Sequence, residues 1–185
     1  TFIYNENLET NANRDFFLVL IGISLWAIAQ NIFFPYLIIY LQNYIKLETM
    51  EWTITVAVSI LVGGIVLAYP LGMLIDRLGR KPVALVAVVM EMIGLVLFSL
   101  FKDLVPLVIT GILWLAPLTA WTIATQTWSK GLFPEDKRGQ FAGYYLLFWV
   151  AIPMILGPLT GGWLATRFGI PTVLDGQPGF IPTPL

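Results

Sequence analysis

The sequence predicts an all-α protein, a polytopic bundle of membrane-spanning helices. Three observations carry that prediction. Apolar side chains make up 58% of the 185 residues. Charged side chains make up only 11%, against roughly 25% in a soluble domain. The apolar residues are also gathered into five stretches, each long enough for a bilayer core that takes about 20 residues of helix. A compact soluble core cannot hide this much apolar surface. Long, continuously apolar stretches favour helices, because membrane strands are short and alternate.

The five stretches are 16–41, 52–75, 83–101, 104–129 and 140–168. The first is too long for the apolar core of a signal peptide and has no basic leader. The chain opens with Thr1 rather than methionine, so an incomplete N-terminus is expected. The connections are short, and no soluble domain fits between the spans. Residues 169–185 are rich in proline and glycine and read as a loop. That loop ends where a further span is due.

Lysine and arginine set the orientation. Arg14, Arg77, Arg80, Lys81, Lys130, Lys137 and Arg138 fall on one side of the membrane, and Lys46, Lys102 and Arg167 on the other. The richer side is the cytoplasmic one. The N-terminus is therefore expected inside, with residues 169–185 outside. The reading is a multi-pass protein of the plasma (inner) membrane.

Composition also excludes chemistry. There is no histidine and no cysteine, which removes disulfides, thiolate nucleophiles, histidine acid–base pairs and the usual zinc sites. No metal site, catalytic residue or organic cofactor is expected, and the chain does not read as an enzyme. A net charge of −1 gives no field to attract nucleic acid. The expected partners are a small-molecule substrate and the lipid bilayer.

The most specific segment joins the second and third spans: Gly72-Met-Leu-Ile-Asp76-Arg77-Leu-Gly79-Arg80-Lys81-Pro82. Asp76 lies at the C-terminal end of a helix, where the helix dipole disfavours an acid. It calls for a cationic partner, and Arg77 or Arg80 is in reach. Gly79 permits a tight turn with positive φ, and Pro82 suits the first turn of the next helix. Gly72 allows another helix to come close. A plain positively charged turn accounts for the basic residues but not for the aspartate or for both glycines.

This segment resembles the cytoplasmic loop signature of the major facilitator superfamily, G-x-x-x-D-R-x-G-R-[KR]. Gly72, Asp76, Arg77, Gly79, Arg80 and Lys81 all match, between the second and third spans, where the family carries it. In the fifth span, Gly157-Pro158-Leu-Thr-Gly161-Gly162 is similar to part of the motif of the family's antiporters. The upstream positions of that motif hold Tyr144 and Pro153 instead of glycine, with Gly143 one step off. Residues 133–139 resemble the family's loop before its fifth helix. The resemblance covers essentially the whole chain. It implies twelve spans in two six-helix halves, with this chain supplying five spans of the N-terminal half. The missing C-terminal half, or a second copy, then becomes a partner. It also implies a secondary transporter working by alternating access, with the 72–81 segment as a conformational latch.

In such a protein the first and fourth spans line the central cavity. In the first span Trp26, Gln30, Phe34 and Leu37 share a face at helical spacing, with Asn31 on its edge. Gln30 and Asn31 face protein or water, because amides are costly in lipid. They serve either as interhelical hydrogen bonds or as ligand contacts. In the fourth span Trp114, Trp121, Thr125 and Trp128 form one face, and Thr119, Thr122 and Gln126 another. Pro117 interrupts the backbone bonds and invites a kink. Aromatic walls with a few polar groups suit lipophilic or amphipathic ligands, or stack on sugar rings. The tryptophans also have a membrane-facing reading.

Glu91 is the one acid near the middle of a span. Ionisation there is expensive, so it is either a proton-coupling group or a structural carboxyl bonded to a neighbouring helix. The coupling ion is then H+ or Na+. Residues 107–115, where proton-coupled antiporters of the family often carry an arginine, hold no charge. The fifth span places Pro153, Gly157 and Gly161 on one small-residue ridge, with Pro158 and Gly162 beside it. The ridge is either a surface that rocks against the opposite half or ordinary packing within this one. The leading expectation is a multidrug-type or lipophilic-compound exporter. The alternatives are an ion-coupled importer of a neutral polar solute such as a sugar and, less favoured, a non-transporting sensor or assembly subunit.

Overall fold

The structure, a computed structural model, describes residues 2–174 and 177–183, with side chains described from Arg14 onward except at positions 136, 174 and 177. Five helices are long and apolar enough to cross a membrane: Arg14–Tyr44, Thr49–Leu78, Arg80–Leu100, Leu104–Lys130 and Arg138–Phe168. We call them spans 1 to 5. Spans 2 to 5 each begin and end within three residues of a stretch read from the sequence, whereas the helix of span 1 starts as early as Phe2. The fold class is the expected all-α membrane architecture. Large apolar side chains stand open on the helices, with Leu85 70% and Leu159 67% exposed. Such a surface needs lipid or another protein over it.

Spans 2 and 5 change helical pitch ahead of a proline. In span 2, Ile60–Val66 is π-helical before Pro70, and in span 5 Leu147–Ala151 is π-helical before Pro153. A proline lacks an N–H and its ring meets the carbonyl four residues back, at Val66 and Trp149 here. A wider turn relieves that clash. Span 1 tightens at its proline instead: Phe34–Tyr36, around Pro35, is a 3-10 turn. Span 4 runs as one α-helix through Pro117.

The chain divides into two compact units. The first holds Thr1–Pro35 and Thr127–Trp163. Its core is aromatic. Phe16, Leu20 and Ile23 of span 1 are buried with Phe141 and Tyr145 of span 5. The Phe133 ring, from the loop ahead of span 5, stands edge-on to Phe16 at 5.6 Å. Further along, Trp26 stacks on Trp149 at 5.8 Å between centroids. The two helices run parallel, as two odd-numbered spans must.

The second unit holds Tyr36–Gln126 and Leu164–Leu185. Here spans 2 and 3 both pack on span 4 through small residues. Span 2 runs parallel to it: Ser59 Oγ donates to the Val108 carbonyl at 3.5 Å, and Gly63 lies against Leu115. Span 3 runs antiparallel. Val83, Ala84 and Ala87 share a core with Ala120 and Ala124, and Gly94 meets the backbone of Trp114. Small residues let backbones approach, which is the packing available where lipid supplies no hydrophobic drive.

The segment after span 5 departs from the expected loop. Ile170–Leu174 and Gln177–Ile181, β1 and β2, pair as an antiparallel hairpin with Leu174 opposite Gln177 and Ile170 opposite Ile181. Residues 175, 176, 184 and 185 of that expected loop lie outside the described ones. The physical reason is in the sequence: Asp175-Gly176 is a preferred two-residue hairpin connection. Pro171 and Pro178 argue against central strands only, and a two-stranded ribbon has none.

Candidate functional site

The charged turn between spans 2 and 3 is built on a buried base. Ile75, 4% exposed, anchors the last turn of span 2 in the alanine core. One residue on, Asp76 and Arg77 are exposed, as are Arg80 and Lys81 across the turn. Gly79 joins the helices at φ 91°, ψ 157° and donates its N–H to the Ile75 carbonyl at 2.9 Å. Only glycine is at ease in that backbone region. Gly79→Val is expected to cost about 1–3 kcal/mol of stability, read as a lower thermal midpoint in detergent. An unchanged midpoint contradicts the assigned turn.

Two expectations for this turn are not met. Asp76 makes no ion pair with Arg77 or Arg80 among the described residues. At an exposed helix end, water satisfies the carboxylate. Gly72 has no atom within 4 Å of where a Cβ would sit, so no described helix makes the close approach expected there. The expectation assigned a neighbour to a face that stays open in this unit.

In span 4 the expected cavity residues separate. Trp114 is 2% exposed, edge-to-face with Phe98 and seated on Gly94. It is packing, because a ring so enclosed offers no face to a ligand. Thr119 Oγ1 reaches the Gly63 carbonyl of span 2 at 3.2 Å and its own Leu115 carbonyl at 3.0 Å, which turns it into the helix seam. Thr125 is buried and bonds back to Trp121 O at 2.7 Å. Trp121, Thr122 and Gln126 remain half-exposed, with Trp121 packed against the alanine core. Glu91 is 3% exposed on the face of span 3 that also carries Ala84, Ala87, Gly94 and Phe98. That face is the one packed on span 4.

In the first unit, Asn31 Nδ2 donates to the Ala27 carbonyl at 2.8 Å, and its backbone lies against Gly157 of span 5, within 2.9 Å of where a Cβ would sit. Pro153, Gly157 and Gly161 are all buried, and Pro158 and Gly162 are half-buried beside them. At Gly157 the small-residue ridge therefore packs on span 1. Gln30 is half-buried, and Phe34, 43% exposed, begins the 3-10 turn rather than continuing the helical face of Trp26. Sequence reasoning missed Tyr145 and Trp149, whose rings stack at 6.2 Å and continue the stack onto Trp26. Their i, i+4 spacing was the available signal, and the prolines and glycines of that span drew attention away from it.

The family model described as Major Facilitator Superfamily matches residues 13–174, from the start of span 1 into the hairpin. The chain belongs to the major facilitator superfamily. Two uncharacterized MFS-type transporters of Mycobacterium tuberculosis, from strains CDC 1551 / Oshkosh and ATCC 25618 / H37Rv, are each 29% identical to it over 152 residues. That alignment covers 82% of this chain and 22% of each relative, so the chain spans about a fifth of the length of those curated relatives. No solved structure matches it significantly. Superfamily membership and five apolar helices make this an integral membrane protein of a transporter family.

Proposed function

We propose that the chain forms most of the first helical half of a secondary transporter that exports a lipophilic or amphipathic compound by alternating access, with the substrate held near the midplane. The observation that supports this most is the uncharged, aromatic character of spans 1, 4 and 5. No acidic or basic residue lies between Asp15 and Lys46, between Asp103 and Lys130, or between Arg138 and Arg167. Spans of that character recognise a ligand by stacking and a few hydrogen bonds. Trp26, Gln30, Trp121, Thr122 and Gln126, the half-buried candidates, are the residues we assign to substrate. The lysine and arginine bias supports an N-terminus in the cytoplasm and the turn at 76–81 on that side.

The latch proposal follows from the same turn. Asp76 pairs with Arg77 or Arg80 in the outward-facing state, and the pairs break as the halves rock. Glu91 is proposed as the proton-coupling group. Uptake into vesicles of the full-length protein, with flat lipophilic dyes and with neutral sugars, each with and without a proton gradient, tests the assignment. Dye export driven by the gradient is the expected result. Sugar uptake in its place establishes an importer, and no flux of either class removes the transport reading. In the same assay Glu91→Gln is expected to keep folded protein and abolish the response to the gradient. An unchanged response takes Glu91 out of the coupling.

A further inference from the structure

The hairpin after span 5 has two different faces. Alternation along each strand, with opposed residues on the same side, puts Pro171, Val173, Pro178 and Phe180 on one face and Ile170, Thr172, Gly179 and Ile181 on the other. All four residues of the first face are exposed, Val173 at 69% and Phe180 at 39%. On the other face Thr172, Gly179 and Ile181 are each partly covered, and Ile170, beside the helix end, is 47% exposed. The open face is thus entirely apolar, and it lies beyond the last membrane-spanning residue, where water-exposed loops are ordinarily polar.

We propose that this face lies in the membrane surface, with Val173 and Phe180 dipping into the headgroup and acyl boundary at the end of span 5. Continuity argues for lipid as the occupant. One residue separates Phe168, the last of span 5, from Ile170, the first of β1, a reach of at most about 7 Å. The hairpin therefore starts at the interface. Phe168, at the end of the span, is 59% exposed and Ile170, at the start of β1, 47%, so exposed apolar side chains stand on both sides of Gly169. That glycine is held tight, since a Cβ there would come within 2.8 Å of the Ile181 carbonyl and 3.2 Å of Phe180 Cβ. The hairpin is fixed to the helix end rather than swinging from it.

Backbone chemistry sets the depth. A hairpin's outer edges carry N–H and C=O groups that hydrocarbon does not satisfy, which excludes burial in the bilayer core. Pro171 and Pro178 have no N–H, so in a formed ladder they take positions whose N–H would point outward. Two orphan donors are removed from the edges. What remains suits the wet boundary, where amphipathic surfaces lie about 5–10 Å deep. In the sequence Arg167 precedes the hairpin and Asp175 falls between the segments that form its strands, and no other charge interrupts 168–183.

The chain has no cysteine, so Val173→Cys and Phe180→Cys each give one labelling site within it for an environment-sensitive fluorophore. The full-length protein is reconstituted in phosphatidylcholine–phosphatidylglycerol vesicles containing lipids with a shallow nitroxide. We expect the nitroxide lipids to quench both labels at least about threefold more than aqueous iodide does, as burial at the boundary requires. Thr172→Cys, on the covered face, serves as the comparison and should respond weakly to both. Labels at 173 and 180 quenched mainly by iodide overturn the proposal, because the face is then in water. Labels quenched by neither also overturn it, because protein then covers the face. Either substitution suffices if the other prevents folding.

Discussion

Gly94→Val is expected to leave little folded protein. A Cβ at position 94 would sit 2.7 Å from Trp114 Cβ and 2.8 Å from its Cα and N. These are backbone and near-backbone atoms, so no rotamer change relieves the contact. Span 3 must move away from span 4, and that movement opens the seam holding Phe98, Ala87 and Glu91. Overpacking of a core costs about 1–3 kcal/mol when side chains can give way, and here they cannot, so about 3 kcal/mol or more is expected. The measurement is thermal unfolding in detergent, followed by size-exclusion recovery. Gly72→Val is the control, since nothing lies within 4 Å of that position, and its effect should stay within about 0.5 kcal/mol. Equal losses at both positions would mean that the cost does not come from contact with Trp114, and the close seam would be refuted.

This contrast marks where the sequence was legible. The starts of spans 2 to 5 follow from Glu48, Arg80, Asp103 and Arg138, because a charge near each start interrupts an apolar run and transfer cost alone sets the boundary. Gly79 was legible because few residues but glycine close so short a charged turn. Contacts between spans were not. Helical spacing puts Thr119, Thr122 and Gln126 on a common face, but it does not say which edge of that face meets Gly63, and Thr119 proved to be seam. Gly63 and Gly94 sit in no motif, and a glycine in an apolar run looks the same whether it faces lipid, as Gly72 faces open space, or a backbone. The two readings of the Gly157 ridge look alike in sequence, and only the packing shows Asn31 beside it. The hairpin was hidden by counting prolines and glycines instead of reading their order, since Asp175-Gly176 between β-branched and aromatic residues is a turn signal.

Asp76→Asn is expected to slow transport about tenfold while leaving the protein as stable as before, or slightly more so. The two effects have opposite signs and separate causes. In the structure Asp76 is exposed, makes no ion pair among the described residues, and sits in the last turn of its helix. A negative charge there opposes the helix dipole, so removing it should stabilise this state by about 0.3–1 kcal/mol. An interaction absent from one state and present in another shifts the equilibrium between them by its full differential energy. If Asp76 pairs with Arg77 or Arg80 only when the latch closes, the amide loses that pair. About 1.4 kcal/mol then corresponds to a tenfold smaller latched population. Maximal transport rate should fall by that factor, with half-saturation within about twofold, since the substituted group lies outside the substrate-binding residues. A melting midpoint that drops together with the rate would make Asp76 a structural residue of this state. Full activity with an unchanged midpoint would dispose of the latch, because no other state would then depend on the carboxylate.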